Sequence, residues 1–295
     1  MKIGVVGAGK WGQALAYALS EKNEVLITSR RPKDIKNFVS LEEVLKCEYL
    51  VFAISAQNAR EWLENKFIFN DQKILVASKG IEVSSGKFLN EIFLDFVPDK
   101  NMAYISGPTF AAEVIQGLPC ALVVSSSSKK TAKKFASFFP SFIKAYVSKD
   151  VIGAEVSGAY KNVIAIASGI CDGMNLGNNA RASLISRGLV EMQRFGLFFG
   201  AKKSTFSGLG GAGDLFLTAS SVLSRNYRVG FGLSKGKSLD DILEELGEVA
   251  EGVYTADAIY KISLEYEIYT PIADEVYAIL HGKNVKDSMQ NLLSK

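Results

Sequence analysis

Histidine is nearly absent from this chain: His281 is the only one among 295 residues. No histidine-based catalytic dyad can be assembled without it, and its setting after Ile279 and Leu280 and before Gly282 reads as a helix C-terminus, where the dipole favours a cation. Cysteine is scarce too. Cys47, Cys120 and Cys171 lie far apart, with neither CxxC spacing nor the even count of a disulfide framework. A reducing, cytoplasmic setting fits this, and no metal is expected. Also missing is any run of about eighteen apolar residues, so no membrane span is expected. The short apolar N-terminal run enters a glycine-rich turn without the cleavage pattern of a signal peptide. Excess charge is small: a net +3 with pI ≈ 8.5 is no argument for a nucleic-acid partner. Lysines and arginines can still gather at an anionic small-molecule site.

What remains is an ordinary globular composition, 48% hydrophobic and 22% charged, at a length that suggests two domains. Met1 to Gly7 reads as a fully apolar strand of the kind buried on both faces of a parallel sheet. It runs straight into Gly7-Ala8-Gly9-Lys10-Trp11-Gly12 and then an apolar helix. In this strand-turn-helix context Gly7 makes a tight turn, Gly9 lets backbone approach a pyrophosphate, and Gly12 lets the helix pack on the strand. Helix N-terminal amides then meet the phosphates. The next strand, Glu24 to Ser29, ends at Arg30-Arg31-Pro32. An acidic residue that would hold a ribose 2′-hydroxyl is missing here, and two arginines stand in its place. That favours NADP(H) over NAD(H), with a solvated charge pair beside a proline turn as the alternative.

Further strands are expected at Tyr49 to Ile54, Lys73 to Ser78, Met102 to Ser106, Cys120 to Ser125 and Ile143 to Val147, with helical patterns between them. This alternation predicts a parallel, doubly wound α/β sheet of Rossmann type, with ligands beyond the carboxyl ends of its strands. Lys79 follows one such end, and Gly107 to Ala111 follow another. After Val147 the strand signal disappears, so a boundary is expected near Ser148 to Asp150. Residues 1–149 then form a dinucleotide-binding domain and residues 150–295 an all-α substrate domain.

Around Ser157 to Ile170, small and apolar residues recur at helical spacing about one lysine. If this helix is packed in a core, Lys161 points at something specific, and desolvation lowers its pKa toward that of a proton donor and acceptor. The alternative is a lysine that snorkels to the surface. Downstream, four glycines in Gly208 to Gly213 precede Asp214, which either opens a helix as a simple cap or faces a ligand. Thr218 lies one turn on, on the same face. Ser224-Arg225-Asn226 sets a guanidinium between two polar side chains, a grouping suited to a phosphate monoester. Glu248-Val249-Ala250-Glu251-Gly252 is a turn with two acids whose role the chemistry alone does not reveal. Trp11 and Trp62 read as core or cleft packing.

Taken in order, GAGKWGQALA (7 to 16), SKGIE (78 to 82), SGPTFAAEV (106 to 114), KNVIAIASG (161 to 169), GLGGAGDL (208 to 215), SRN (224 to 226) and EG (251 to 252) resemble the bacterial NAD(P)-dependent glycerol-3-phosphate dehydrogenases. The resemblance spans nearly the whole chain. It implies interconversion of sn-glycerol 3-phosphate and dihydroxyacetone phosphate for phospholipid synthesis, with Lys161 as proton acceptor; on charge alone, Lys79 is then expected to depress the Lys161 pKa and Asp214 to orient its ammonium. It implies a substrate site of Lys79, Gly107, Thr109, Lys161, Asp214, Ser224, Arg225 and Asn226, to which the helical spacing from Asp214 adds Thr218. For the cofactor it implies Lys10, Trp11, Arg30, Arg31, Lys79, Ala111, Arg225, Val249 and Glu251, beside Gly7, Gly9 and Gly12 of the turn. Two departures touch the adenosine side: the segment from Arg31 to Tyr49 is shorter than usual, and Ser55-Ala56 stands where a proline-containing turn is common. Oligomeric state, a homodimer included, is left open.

Overall fold

A computed structural model describes residues 1–294. Seven strands build one sheet: β1 (Lys2–Val6), β2 (Glu24–Thr28), β3 (Tyr49–Phe52), β4 (Lys73–Val76), β5 (Met102–Ser106), β6 (Cys120–Ser125) and β7 (Ile143–Ser148). Helices α1 (Lys10–Ser20), α2 (Leu41–Leu45), α3 (Ala59–Lys66), α4 (Leu89–Leu94), α5 (Ala111–Val114) and α6 (Lys129–Ala136) connect them. The spatial order is β2-β1-β3-β4-β5-β6-β7. All neighbours are parallel except β5 and β6, which run antiparallel. That pair departs from the wholly parallel expectation for a local reason. The connection between them, residues 107–119 with the four-residue α5, is the shortest between consecutive strands, and β6 starts at the edge where β5 ends.

Strands apolar on both faces require cover on both. Ile3, Val5, Val51 and Leu122 pack with Leu15 of α1 and Phe135 of α6 on one side. On the other, Val6, Leu50, Phe52 and Val76 pack with Leu63 of α3 and Phe93 of α4. Burying each such side chain stabilises the fold by roughly 1.5–3 kcal/mol. Trp62 packs at this second face, its ring 5.4 Å from Phe52.

Beyond β7 the chain is helical: α7 (Val151–Gly173), α8 (Gly177–Phe198), α9 (Lys203–Phe206), a turn of π-helix at Leu209–Gly213, α10 (Asp214–Ala219), α11 (Arg225–Ser234), α12 (Leu239–Leu246), α13 (Glu251–Glu265), α14 (Pro271–Leu280) and α15 (Val285–Ser294). Helix α7 is buried on every side, as its mostly small and apolar sequence demands, with Glu155, Lys161 and Asn162 buried among those residues. Val163, Ile166 and Ile170 anchor a core shared with Met192 of α8, Ala256 of α13 and Ala273 of α14. Its crossing with α11 brings backbone against backbone. A Cβ on Gly169 would stand 2.0 Å from the Tyr227 carbonyl oxygen, and one on Gly230 1.9 Å from that of Ile166.

Asp150 fixes where α7 starts, accepting from the Gly153 amide at 3.0 Å and, through its other oxygen, from the Lys202 amide at 2.9 Å. Two buried carboxyls tie α7 and α8 to distant helix starts. Glu155 accepts from the Asn90 amide near the N-terminus of α4 at 2.8 Å. Glu191 accepts from the Ile272 and Ala273 amides of α14 at 2.9 Å and from the Tyr160 hydroxyl at 2.8 Å. Each satisfies amides that a helix N-terminus leaves without intrahelical partners. Among the described residues no helix is long and apolar enough to cross a membrane.

Candidate active site

The carboxyl ends of β1, β3, β4 and β5 meet along one edge of the sheet, where α7 and the π-helical turn leading into α10 pack against β5. The first turn is built for close approach. Gly7 has φ +110°, and a Cβ there would stand 2.4 Å from the Ala53 carbonyl oxygen; a Cβ on Gly12 would stand 1.8 Å from the Gly7 oxygen. Only glycine fits either place. In front of Gly9 nothing lies within 4 Å, so its missing side chain leaves open space that a dinucleotide pyrophosphate fits. The Gly7 amide donates to the Thr28 oxygen at 2.9 Å, which sets the exposed Arg30 and Arg31 just past the neighbouring strand end. Trp11 lies across the cleft, its indole nitrogen donating to the Ala77 oxygen at 3.1 Å. Lys33 folds back to donate to the Ala8 oxygen at 2.7 Å.

Past the ends of β4 and β5 one carboxylate gathers the cations. Asp214 is the first residue of α10, 1% exposed, and its side chain caps no amide of its own helix. Its Oδ1 accepts from Lys161 Nζ, and its Oδ2 accepts from Lys79 Nζ at 2.7 Å and from the Gly107 amide at 3.2 Å. Lys161, 7% exposed, also donates to Thr218 Oγ1 at 3.0 Å. The glycine-rich turn makes this approach possible: a Cβ on Gly210 would stand 2.5 Å from Ser106 Oγ, so the residues leading into Asp214 lie directly on the end of β5. Lys79 enters from the sheet along Gly158 of α7, whose Cβ would touch the lysine chain at 3.2 Å.

Burial pushes the Lys161 ammonium down, Asp214 opposes that, and Lys79 adds to it, leaving a pKa of about 7. Burial alone would raise the Asp214 carboxyl, but the two ammonium groups outweigh it and hold it below its usual range. The result is an anchored anion beside an amine that gains and loses a proton near neutrality. That is a general acid–base pairing.

The expected anion contacts are more dispersed. Ser224 caps α11, its Oγ accepting from the Tyr227 amide at 3.2 Å. The Asn226 Oδ1 accepts from the Gly252 amide at 3.0 Å, joining α11 to α13. Arg225 is 3.1 Å from Glu248 Oε2, and the other oxygen of Glu248 is 2.6 Å from Lys10 Nζ. Glu251 begins α13 and accepts from the Ala56 amide at 3.2 Å. Burial pushes its carboxyl up to about 7, against the Ala56 amide and Arg225. Val249 is 43% exposed beside it. Thr109 Oγ1 donates to the Gly107 oxygen at 3.3 Å, and Ala111 opens α5. His281 caps α14 and pairs with Asp257 at 3.6 Å, apart from this cluster. No group of three or more His, Cys, Asp or Glu suited to a metal ion occurs among the described residues.

Sequence reasoning did not foresee that Glu248 takes up Arg225 and Lys10, nor that Lys33 reaches the glycine turn. The proximity of Lys33 to the two arginines was the one available signal.

Two family models match the chain. One described as NAD-dependent glycerol-3-phosphate dehydrogenase N-terminus covers residues 30–132, and its C-terminus counterpart covers residues 150–290. A glycerol-3-phosphate dehydrogenase (NAD(P)+) of Sulfurimonas denitrificans is 62% identical over 293 residues, 99% of this chain and 99% of that protein. One of Campylobacter jejuni is 62% identical over 295 residues, 100% of this chain and 99% of that protein. The crystal structure of glycerol-3-phosphate dehydrogenase from Coxiella burnetii superposes with a TM-score of 0.93 at 31% identity, covering 100% of this chain and 99% of that one. Matched end to end in sequence and in fold, the chain belongs to the NAD-dependent glycerol-3-phosphate dehydrogenase family.

Proposed function

We propose that this protein interconverts sn-glycerol 3-phosphate and dihydroxyacetone phosphate by hydride transfer with NAD(P)(H), supplying glycerol 3-phosphate for phospholipid synthesis in the cytoplasm. Residues 1–149 serve as the dinucleotide-binding half and residues 150–295 as the substrate-binding half. The observation that carries the reading is the buried Lys161–Asp214–Lys79 cluster at the strand ends of a sheet that opens on a glycine turn, with its amine poised near pH 7.

When bound, the nicotinamide accepts or supplies the hydride at substrate C2. In oxidation neutral Lys161 takes the hydroxyl proton; in reduction protonated Lys161 returns it to the same oxygen. Asp214 stays ionised throughout and orients the amine, with Thr218 fixing its direction. Lys79 adds positive charge beside the developing alkoxide and keeps the Lys161 pKa low. Arg225, with Ser224 and Asn226 at its sides, anchors the substrate phosphate, so that binding energy remote from C2 positions the reacting carbon. Gly107 and Thr109 complete the substrate side of the cleft.

On the cofactor side, Gly7, Gly9 and Gly12 with Lys10 receive the pyrophosphate. Trp11, Lys79, Ala111, Val249 and Glu251 line the path toward the nicotinamide. Arg30 and Arg31 meet a ribose 2′-phosphate, which makes NADP(H) the preferred form and NAD(H) the weaker one. Reduction of dihydroxyacetone phosphate, followed by nicotinamide absorbance with NADPH and NADH in separate assays, tests both statements. Turnover with neither cofactor refutes the activity, and a higher kcat/KM with NADH refutes the preference.

A further inference from the structure

Arg225 and Lys10 come from opposite halves of the molecule. Lys10 opens α1 directly behind Gly9, and Arg225 opens α11 in the helical half. On the reading above, one faces the dinucleotide phosphates and the other the substrate phosphate. Both are held by a single side chain: Glu248 Oε1 lies 2.6 Å from Lys10 Nζ, and Glu248 Oε2 lies 3.1 Å from an Arg225 guanidinium nitrogen.

We infer that Glu248 is an internal anion that occupies the phosphate-binding cations of both halves until ligands displace it, and that this makes cofactor binding promote phosphate binding. The inference rests on the assignment of Arg225 to the substrate phosphate. Glu248 sits between α12 and α13, just after Gly247 with its left-handed φ of +60°. The turn is anchored on both sides, by Leu246 packed on the helical core and by the buried Ala250, while Glu248 between them reaches the two cations with its side chain. The grip is reversible in kind. The Lys10 side chain is 74% exposed and that of Arg225 41%, and ion pairs in such surroundings are weak. A phosphate carries more charge than one carboxylate and meets a guanidinium through two parallel hydrogen bonds, so it competes well for Arg225.

Geometry also fixes the coupling. While both oxygens are engaged, Glu248 is held at two points. A dinucleotide phosphate that takes Lys10 removes one of them, and the remaining contact to Arg225 becomes easier to displace. By linkage the effect is reciprocal: phosphate at Arg225 must favour the dinucleotide by the same factor. Glu251, three residues on, accepts from the Ala56 amide across the cleft and keeps the start of α13 in place while the preceding turn moves.

The test is an equilibrium titration of the full chain with inorganic phosphate, with and without saturating NADPH, on wild type, Glu248→Gln and Arg225→Ala. Without NADPH, Glu248→Gln binds phosphate at least about threefold tighter than wild type. NADPH tightens phosphate binding to wild type by a similar factor and to Glu248→Gln by less than about twofold. Arg225→Ala loses most of the phosphate affinity. If Glu248→Gln binds phosphate no better than wild type, or keeps the NADPH effect, while Arg225→Ala is impaired, the latch is refuted and the phosphate assignment stands. If Arg225→Ala binds phosphate as wild type does, the assignment falls and the latch with it.

Discussion

Lys161 and Asp214, 53 residues apart in sequence, form the most enclosed ion pair of the cleft, with the amine on the central helix and the carboxylate on the first residue of α10. Each sets the other's ionisation. Asp214 keeps the amine from losing its proton altogether, and the amine keeps the carboxylate charged.

Replacing Asp214 with Asn removes the charge that raises the Lys161 pKa, so the midpoint near pH 7 moves to lower pH. The pH profile of kcat in glycerol 3-phosphate oxidation, which rises as Lys161 deprotonates, therefore shifts to the acid side. Breaking a buried network of this kind also lowers stability by about 3 kcal/mol or more, read from urea denaturation.

Lys79→Gln has the opposite sign. The Lys79 charge depresses the Lys161 pKa, so without it the oxidation profile moves to higher pH while its amplitude falls. Equal shifts in the same direction for Asp214→Asn and Lys79→Gln would contradict the assignment of charges.

Two glycines of the first turn separate folding from binding. An added methyl at Gly12 lands 1.8 Å from the Gly7 oxygen, so Gly12→Ala forces strand and helix apart and costs about 1–3 kcal/mol or more, seen as a lower Tm. At Gly9 the methyl meets no protein atom within 4 Å and the backbone φ is −71°. Gly9→Ala thus keeps its Tm but loses about tenfold or more in NADPH affinity by fluorescence titration, because the methyl fills space reserved for phosphate.

The amino-acid sequence itself carries this division. The spacing of Gly7, Gly9 and Gly12 after an apolar strand implies close approach, and the small and apolar residues recurring at helical spacing about Lys161 imply a buried helix whose lysine points at something specific. Asp214 is legible there only as the start of a helix, with cap or ligand contact undecided. The direction of β6 is not legible, because alternating strand and helix patterns look alike whichever way a strand is laid down. Nor are the pairings of Glu155 with Asn90, 65 residues away, and of Glu191 with Ala273, 82 residues away. A glutamate on a helix reads as surface until the fold brings another helix's free amides to it.

Glu155 carries its own prediction. Burial pushes its carboxyl up to about 8, against the hydrogen bonds from Asn90 and Leu89. A carboxyl whose pKa is raised in the folded state holds its proton there while the unfolded chain has lost it. Its contribution is complete below pH about 4.5 and is lost as pH rises through about 8. Glu155→Gln keeps the shape and removes the ionisation, so thermal melts between these limits should show wild type losing stability with rising pH relative to the variant. Parallel Tm curves would refute this.

The most direct test of the account removes the amine itself. With Lys161→Ala, steady-state reduction of dihydroxyacetone phosphate at saturating NADPH should fall by about 100- to 10,000-fold, while NADPH affinity, measured by titration on the same sample, stays within about threefold of wild type because Lys161 acts on the substrate oxygen. Turnover within threefold of wild type would contradict the assignment of Lys161 as the proton-transferring group.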